Sequence, residues 1–169
     1  MMLRSLPALS LALLLCAACS SREGETLRYW PADNSNGIVA GSPAVYDDVT
    51  SIDDGGSLRV EAQQAMTVPL YESGNLDVES AILVYEAAVR SNDLSGQAYL
   101  EMWCVFPDGT RYFSRGLTEA ISGTTDWTRV KTPFRLEPGQ NPVDVELNIV
   151  VDGTGTVWID DLRLKRVPL

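Results

Sequence analysis

Ten consecutive residues near the C-terminus leave little choice of fold: Val143, Val145, Leu147, Ile149 and Val151 alternate with Asp144, Glu146, Asn148, Val150 and Asp152. Apolar residues two apart share one side of a strand but no single side of a helix, so this run buries one face only as β-structure. The pattern recurs along the chain. Over residues 81–89, Ala81, Leu83, Tyr85, Ala87 and Val89 fall on one face; over 98–106, Ala98, Leu100, Met102, Cys104 and Phe106 do so, with Tyr99, Glu101, Trp103 and Val105 opposite. Residues 57–62, 66–71 and 127–136 are further strands, with Pro69 confining the second of these to an edge. No segment from Leu27 onward carries a sustained helical stripe.

Turn chemistry separates the strands. Asp53-Asp54-Gly55-Gly56 precedes the strand at 57–62, and Glu137-Pro138-Gly139-Gln140-Asn141-Pro142 breaks the chain before residue 143. Asp108-Gly109 predicts a two-residue hairpin turn onto a strand at 111–114, a register that sets Tyr112 across from Val105. Asp152-Gly153-Thr154-Gly155 predicts a second tight turn, with residues 156–164 returning as a terminal hairpin. Seven or eight such strands without a helix imply an all-β, antiparallel two-sheet β-sandwich in a single domain over residues 27–169. The longest loops are expected at 32–49 and 116–126.

Charge and composition narrow the function. The formal net charge is −10, which disfavours nucleic acid as a partner and is expected to keep the chain from binding an anionic membrane surface by charge. Histidine is absent, removing the commonest general base and the usual ligand of catalytic zinc. There is no activated-serine context and no phosphate loop, so the chain is expected not to be an enzyme. Of three cysteines two lie near the N-terminus, leaving Cys104 as a small apolar core residue.

The first 18 residues read as a signal peptide. Arg4 supplies positive charge, and residues 6–15 form an apolar run too short to span about 30 Å of hydrocarbon as a helix. Cys16-Ala17-Ala18-Cys19 resembles the bacterial lipobox, with Cys16 where leucine is usual. That resemblance implies acylation of Cys19, a tether over residues 19–26, and attachment to a membrane of the bacterial cell envelope. Ser20, rather than aspartate, after the modified cysteine implies the outer membrane. The alternative is an ordinary cleaved signal peptide and a soluble secreted protein.

Three further stretches carry a second likeness: Asp54-Gly55-Gly56-Ser57-Leu58-Arg59-Val60, Thr125-Asp126-Trp127-Thr128, and Val157-Trp158-Ile159-Asp160-Asp161-Leu162-Arg163-Leu164. Together they resemble the galactose-binding-like jelly-roll domains that include many bacterial carbohydrate-binding modules. The resemblance implies a jelly roll and a structural Ca2+ held by Asp160 on the last strand, with Asp53 or Asp54 as partners. The residues themselves leave three readings of the paired aspartates: a bound cation, hydrogen bonds to a loop, or a bulge exposing both.

Sugar recognition needs aromatic faces and a few polar groups. Tyr99, Glu101, Trp103 and Tyr112, with Glu146 and Asn148 outward on another strand, form the candidate ligand-binding surface; the alternative is an aromatic face covered by a loop. The expected function is a lipid-anchored, noncatalytic module binding a glycan or other cell-surface ligand. Its competitor is a structural or protein-interaction lipoprotein with the same fold.

Overall fold

The structure, a computed structural model, describes residues 24–169; the leader and Cys19 lie outside the described residues. It consists of β1 (Glu25–Trp30), β2 (Val45–Asp47), β3 (Ser57–Ala62), β4 (Met66–Glu72), β5 (Ala81–Val105), β6 (Arg111–Arg115), β7 (Ile121–Leu136) and β8 (Asp144–Pro168), with a 3₁₀ turn over Leu117–Glu119. β5 and β8 are the spine. Each is 25 residues long, and they pair antiparallel from Ala81 opposite Pro168 to Val105 opposite Asp144.

The spine serves two layers. In the first, the opening half of β8 and the closing half of β5 are flanked by β4 and β6. In the second, the closing half of β8 and the opening half of β5 carry β3 and β1 on one side and β7 on the other, with β2 beyond β3. Leu83, Tyr85, Leu100, Met102, Leu147, Ile149, Ile159 and Leu162, drawn from both halves of both strands, bury into one cluster. A flat sheet would give two separate apolar faces, so the single cluster reports a spine folded over on itself. This is the expected antiparallel β-sandwich, and each fully buried Leu or Ile contributes about 2 kcal/mol to it.

The inward phases at 81–89, 98–106 and 145–151 are those read from the alternation, whereas Val143 precedes β8 and is exposed; Cys104 is fully buried, its thiol pushed up to about 12 by that burial. β4 is an edge strand, with its register broken between Pro69 and Tyr71. The terminal hairpin is not formed. β8 runs straight through Gly153 and Gly155, because these glycines mark where the folded spine brings two backbones together rather than where the chain reverses. A Cβ on Gly153 would overlap the Ser95 carbonyl, and one on Gly96 would overlap that of Asp152. Likewise 81–89 and 98–106 are one strand. Between Asn92 opposite Thr156 and Ser95 opposite Thr154, β5 holds one more residue than β8, and Asp93 has a φ of +51°. That bulge switches the inward phase from odd to even residues. β1 begins at Glu25, within the stretch read as tether, and pairs with Arg166 and Lys165.

Candidate functional site

The outer face of the first layer gathers the ligand-binding candidates in two rows. Glu101 on β5 lies between Arg115 on β6 and Asn148 on β8; Trp103 lies between Phe113 and Glu146. Glu101 is only 3% exposed although it faces away from the core. Three donors satisfy its buried carboxylate: the Arg115 Nε donates to Oε2 at 2.6 Å, and the Trp103 Nε1 and Asn148 Nδ2 donate to Oε1 at 2.9 and 3.2 Å. Glu101 in turn raises the Arg115 guanidinium above its ordinary value. The indole is thereby fixed in orientation, with its ring 4.9 Å from that of Phe113 at 46°.

The remaining groups are paired. Arg111 stacks over Trp103 at 5.0 Å and forms an ion pair with Glu146, while Arg115 stacks over Phe113 at 4.7 Å. Each guanidinium is matched by a carboxylate, so the face is electrically neutral. Beside it a groove of about 500 Å³ runs between β6 and the end of β7, lined by Trp103, Tyr112, Phe113, Phe134 and Gln140 among others.

Tyr99, Glu101, Trp103, Glu146 and Asn148 do share this face, but Tyr99 is buried and offers no open ring. Tyr112 is a correction. The turn is longer than two residues: the Phe106 amide donates to the Thr110 carbonyl and the Gly109 amide to that of Phe106, each at 2.9 Å, with Gly109 at a φ of +83°. The longer loop sets Val105 opposite Arg111, so Tyr112 falls beside Cys104 and Phe113 takes the place beside Trp103. Phe113, Arg111 and Arg115 were therefore missed, since one residue of loop length decides which side of β6 faces out.

At the other end of the spine the paired aspartates form a bulge, two residues of β8 (Asp161 and Leu162) against one of β5 (Ala87) between Ala88 opposite Asp160 and Glu86 opposite Arg163, with Asp161 at a φ of +49°. The bulge exposes neither aspartate but sends them apart. Asp161 pairs with Arg129 and Arg163. Asp160 is fully buried; its Oδ2 accepts the Ile52 amide at 3.0 Å and its Oδ1 the Asp161 amide at 2.7 Å. Burial raises its pKa to about 6, despite those two amides, with Asp53 and Asp161 adding like charge.

Asp33, Asp53 and Asp160 each place a carboxylate oxygen within 4.8 Å of the others. Oxygens at about 2.4 Å from a shared calcium lie up to about 4.8 Å apart, so the donor set fits a hard cation. Gly55 leaves the space these groups occupy: a Cβ there would overlap Asp33. Asp54 is not in the group; it is exposed, with a φ of +69°. Asp33, distant in sequence and within an expected loop, carried no signal of its own.

No family model matches the chain, and no curated protein matches it. Solved structures do. The CBM22-1 and GH10 modules of Clostridium thermocellum endo-1,4-β-D-xylanase 10B, complexed with xylohexaose, match with a TM-score of 0.65 at 12% identity, over 84% of this chain and 28% of that one. The CBM22-1 xylan-binding domain of Paenibacillus barcinonensis Xyn10C matches with a TM-score of 0.62 at 13% identity, over 86% of this chain and 97% of that one. The enzymatically active domain of tailspike protein 4 of bacteriophage CBA120 matches with a TM-score of 0.56 at 9% identity, over 87% and 20%. The chain thus spans little more than a quarter of the xylanase structure and nearly all of the isolated xylan-binding domain. At these identities the likeness is one of fold alone, an antiparallel β-sandwich shared with these domains.

Proposed function

We propose that this chain is a noncatalytic carbohydrate-binding domain that takes a glycan on the outer face of the first layer. The observation that carries the reading is the Trp103–Phe113 pair, oriented by the Glu101 hydrogen bond and flanked by Asn148, Arg115 and the Arg111–Glu146 pair. Sugar C–H faces pack on aromatic rings while hydroxyls exchange hydrogen bonds with such a rim. The internal matching of charge favours a neutral polysaccharide. Glu101 is occupied by three donors and holds the platform together, a structural duty that leaves it no free acid or base role. The likeness in fold to a xylan-binding domain supports the same reading.

Affinity electrophoresis of the chain through gels containing neutral plant and bacterial polysaccharides tests this. Trp103→Ala and Phe113→Ala are each expected to weaken retention about tenfold, the equivalent of roughly 1.4 kcal/mol. Retention by no polysaccharide, or retention indifferent to both changes, would favour the structural or protein-interaction lipoprotein instead.

Two further parts of the proposal rest on sequence and local chemistry. Asp33, Asp53 and Asp160 would hold a structural Ca2+, whose charge offsets three neighbouring carboxylates. Cys19 would carry the lipid that retains the chain on the envelope, at the outer membrane by the Ser20 reading. Among the described residues no helix is long and apolar enough to cross a membrane. Cys19→Ser is expected to abolish incorporation of labelled fatty acid and to release the protein from sedimented membranes; persistence of either in the variant contradicts the anchor.

A further inference from the structure

We propose that the outer face of the second layer, opposite the Trp103–Phe113 face, docks on an anionic phospholipid bilayer. The proposal rests on the lipid-anchor reading and concerns what the anchored domain presents to the membrane. Three rows cross β7, β5 and β8 here: Lys131, Glu86 and Arg163; Pro133, Val84 and Lys165; then Arg135, Ile82 and Val167, with Arg135 ion-paired to Glu137. They enclose a shallow groove of about 470 Å³ with an apolar floor of Ile82, Val84 and Val167 and with Lys131 and Lys165 beside it.

The charge of this face runs against that of the chain. Arg129, Lys131, Arg163 and Lys165 surround only Glu86 and Asp161, both more than nine-tenths buried, with Glu119 at the far rim. Lys165 lies 2.6 Å from Glu86, and Arg129 and Arg163 pair with Asp161, whereas Lys131 has no ion pair among the described residues. Ionic screening confines such fields to about 8 Å at physiological salt, so a headgroup here meets the local cations and not the net charge of −10. Lysines beside an apolar floor suit the lipid boundary, where the stems lie along hydrocarbon and the ammonium groups reach phosphate.

The path of the chain supplies the second argument. Gly24 lines this same groove, and a Cβ on it would come within 2.6 Å of both the Arg166 carbonyl oxygen and the Val167 Cγ2. The backbone is thus pinned along β8 as it enters the fold. Five residues from Cys19 reach at most about 18 Å. An acylated Cys19 therefore keeps the groove within that distance of the bilayer, and docking this face turns the glycan face of the other layer outward.

The full-length protein, purified with its lipid, is reconstituted into phosphatidylcholine vesicles with and without phosphatidylglycerol, and a polarity-sensitive fluorophore is placed at Pro133→Cys or, separately, at Phe113→Cys. Buried Cys104 does not compete for the label. Nitroxide-bearing lipid is expected to quench the probe at 133 several-fold more than that at 113. The difference should require phosphatidylglycerol, fall in high salt, and be lost in Lys131→Glu while the protein still sediments with the vesicles. Equal quenching at the two sites, quenching without phosphatidylglycerol, or indifference to Lys131→Glu overturns the docking and leaves the anchor standing. A probe at 133 already shielded without vesicles reports a second copy of the chain and also overturns it. Absence of lipid on Cys19, read by mass, overturns the anchor and the docking together.

Discussion

Gly153→Ala is expected to destabilise the domain by about 3 kcal/mol or more and to lower its melting temperature by roughly 6–12 °C. The added methyl would overlap the Ser95 carbonyl oxygen and crowd the Gly96 Cα, which belong to backbone and not to a flexible side chain. Relief requires the two spine strands to separate where the spine folds over. That same point joins the layers whose side chains form the single core, so local relief disturbs both. Gly41→Ala is the control. Its φ of +80° strains alanine, but nothing lies within 4 Å of the new Cβ, and the cost is about 1 kcal/mol. Thermal melts of the two variants test the account; equal, small shifts would mean that the crossing has room that the backbone contacts deny.

Calcium is expected to raise the melting temperature of the wild-type protein at pH 7.5 by roughly 8–16 °C when present at about a thousand times its dissociation constant, a stabilisation of about 4 kcal/mol. Asp160→Ala should lose that response. In chelator the same substitution has a smaller net effect, because two terms oppose each other. It orphans the Ile52 and Asp161 amides, at about 1–3 kcal/mol each. It also removes a buried carboxylate whose pKa is raised to about 6, which at neutral pH relieves a penalty on the order of 3 kcal/mol.

The direction of the pH dependence follows from that raised value. The folded state binds the Asp160 proton more tightly than the unfolded chain, so the stability from protonation is complete below about pH 4 and is lost as pH rises through about 6. Chelated protein should therefore gain stability from Asp160 between pH 7 and pH 5, and this gain should vanish in Asp160→Ala. With calcium bound the sign reverses over the same window, since acid protonates the ligands and releases the ion. A melting temperature at pH 7.5 that calcium does not move would leave Asp160 as a hydrogen-bonding group alone.

Local pattern was enough to place Leu100, Met102 and Cys104 inward and Glu101 and Trp103 outward, since alternation is a property of each strand by itself. It misjudged Gly153 and Gly155, because a glycine needed for reversal and a glycine needed for close approach look alike until the neighbouring backbone is known. It misplaced Tyr112 for a related reason. The Asp108-Gly109 pair is compatible with more than one loop length, and a single residue moves Phe113 into the ligand face in its place.

Charge behaves in the same way. A net of −10 is a sum over the chain, whereas Lys131, Arg163 and Lys165 come from two strands joined only by pairing through β5. What the sequence by itself determined is therefore the local chemistry: β-structure throughout, the inward phase of the long runs, a buried Cys104, and the two aspartates that interrupt the last strand. Only the tertiary structure decided that four expected strands are two, that Asp33 joins Asp53 and Asp160, that Phe113 stands beside Trp103, and that the cations gather on the opposite layer. Each of these depends on the register between segments far apart in the chain, and register is set where bulges, loop lengths and backbone crossings meet in space.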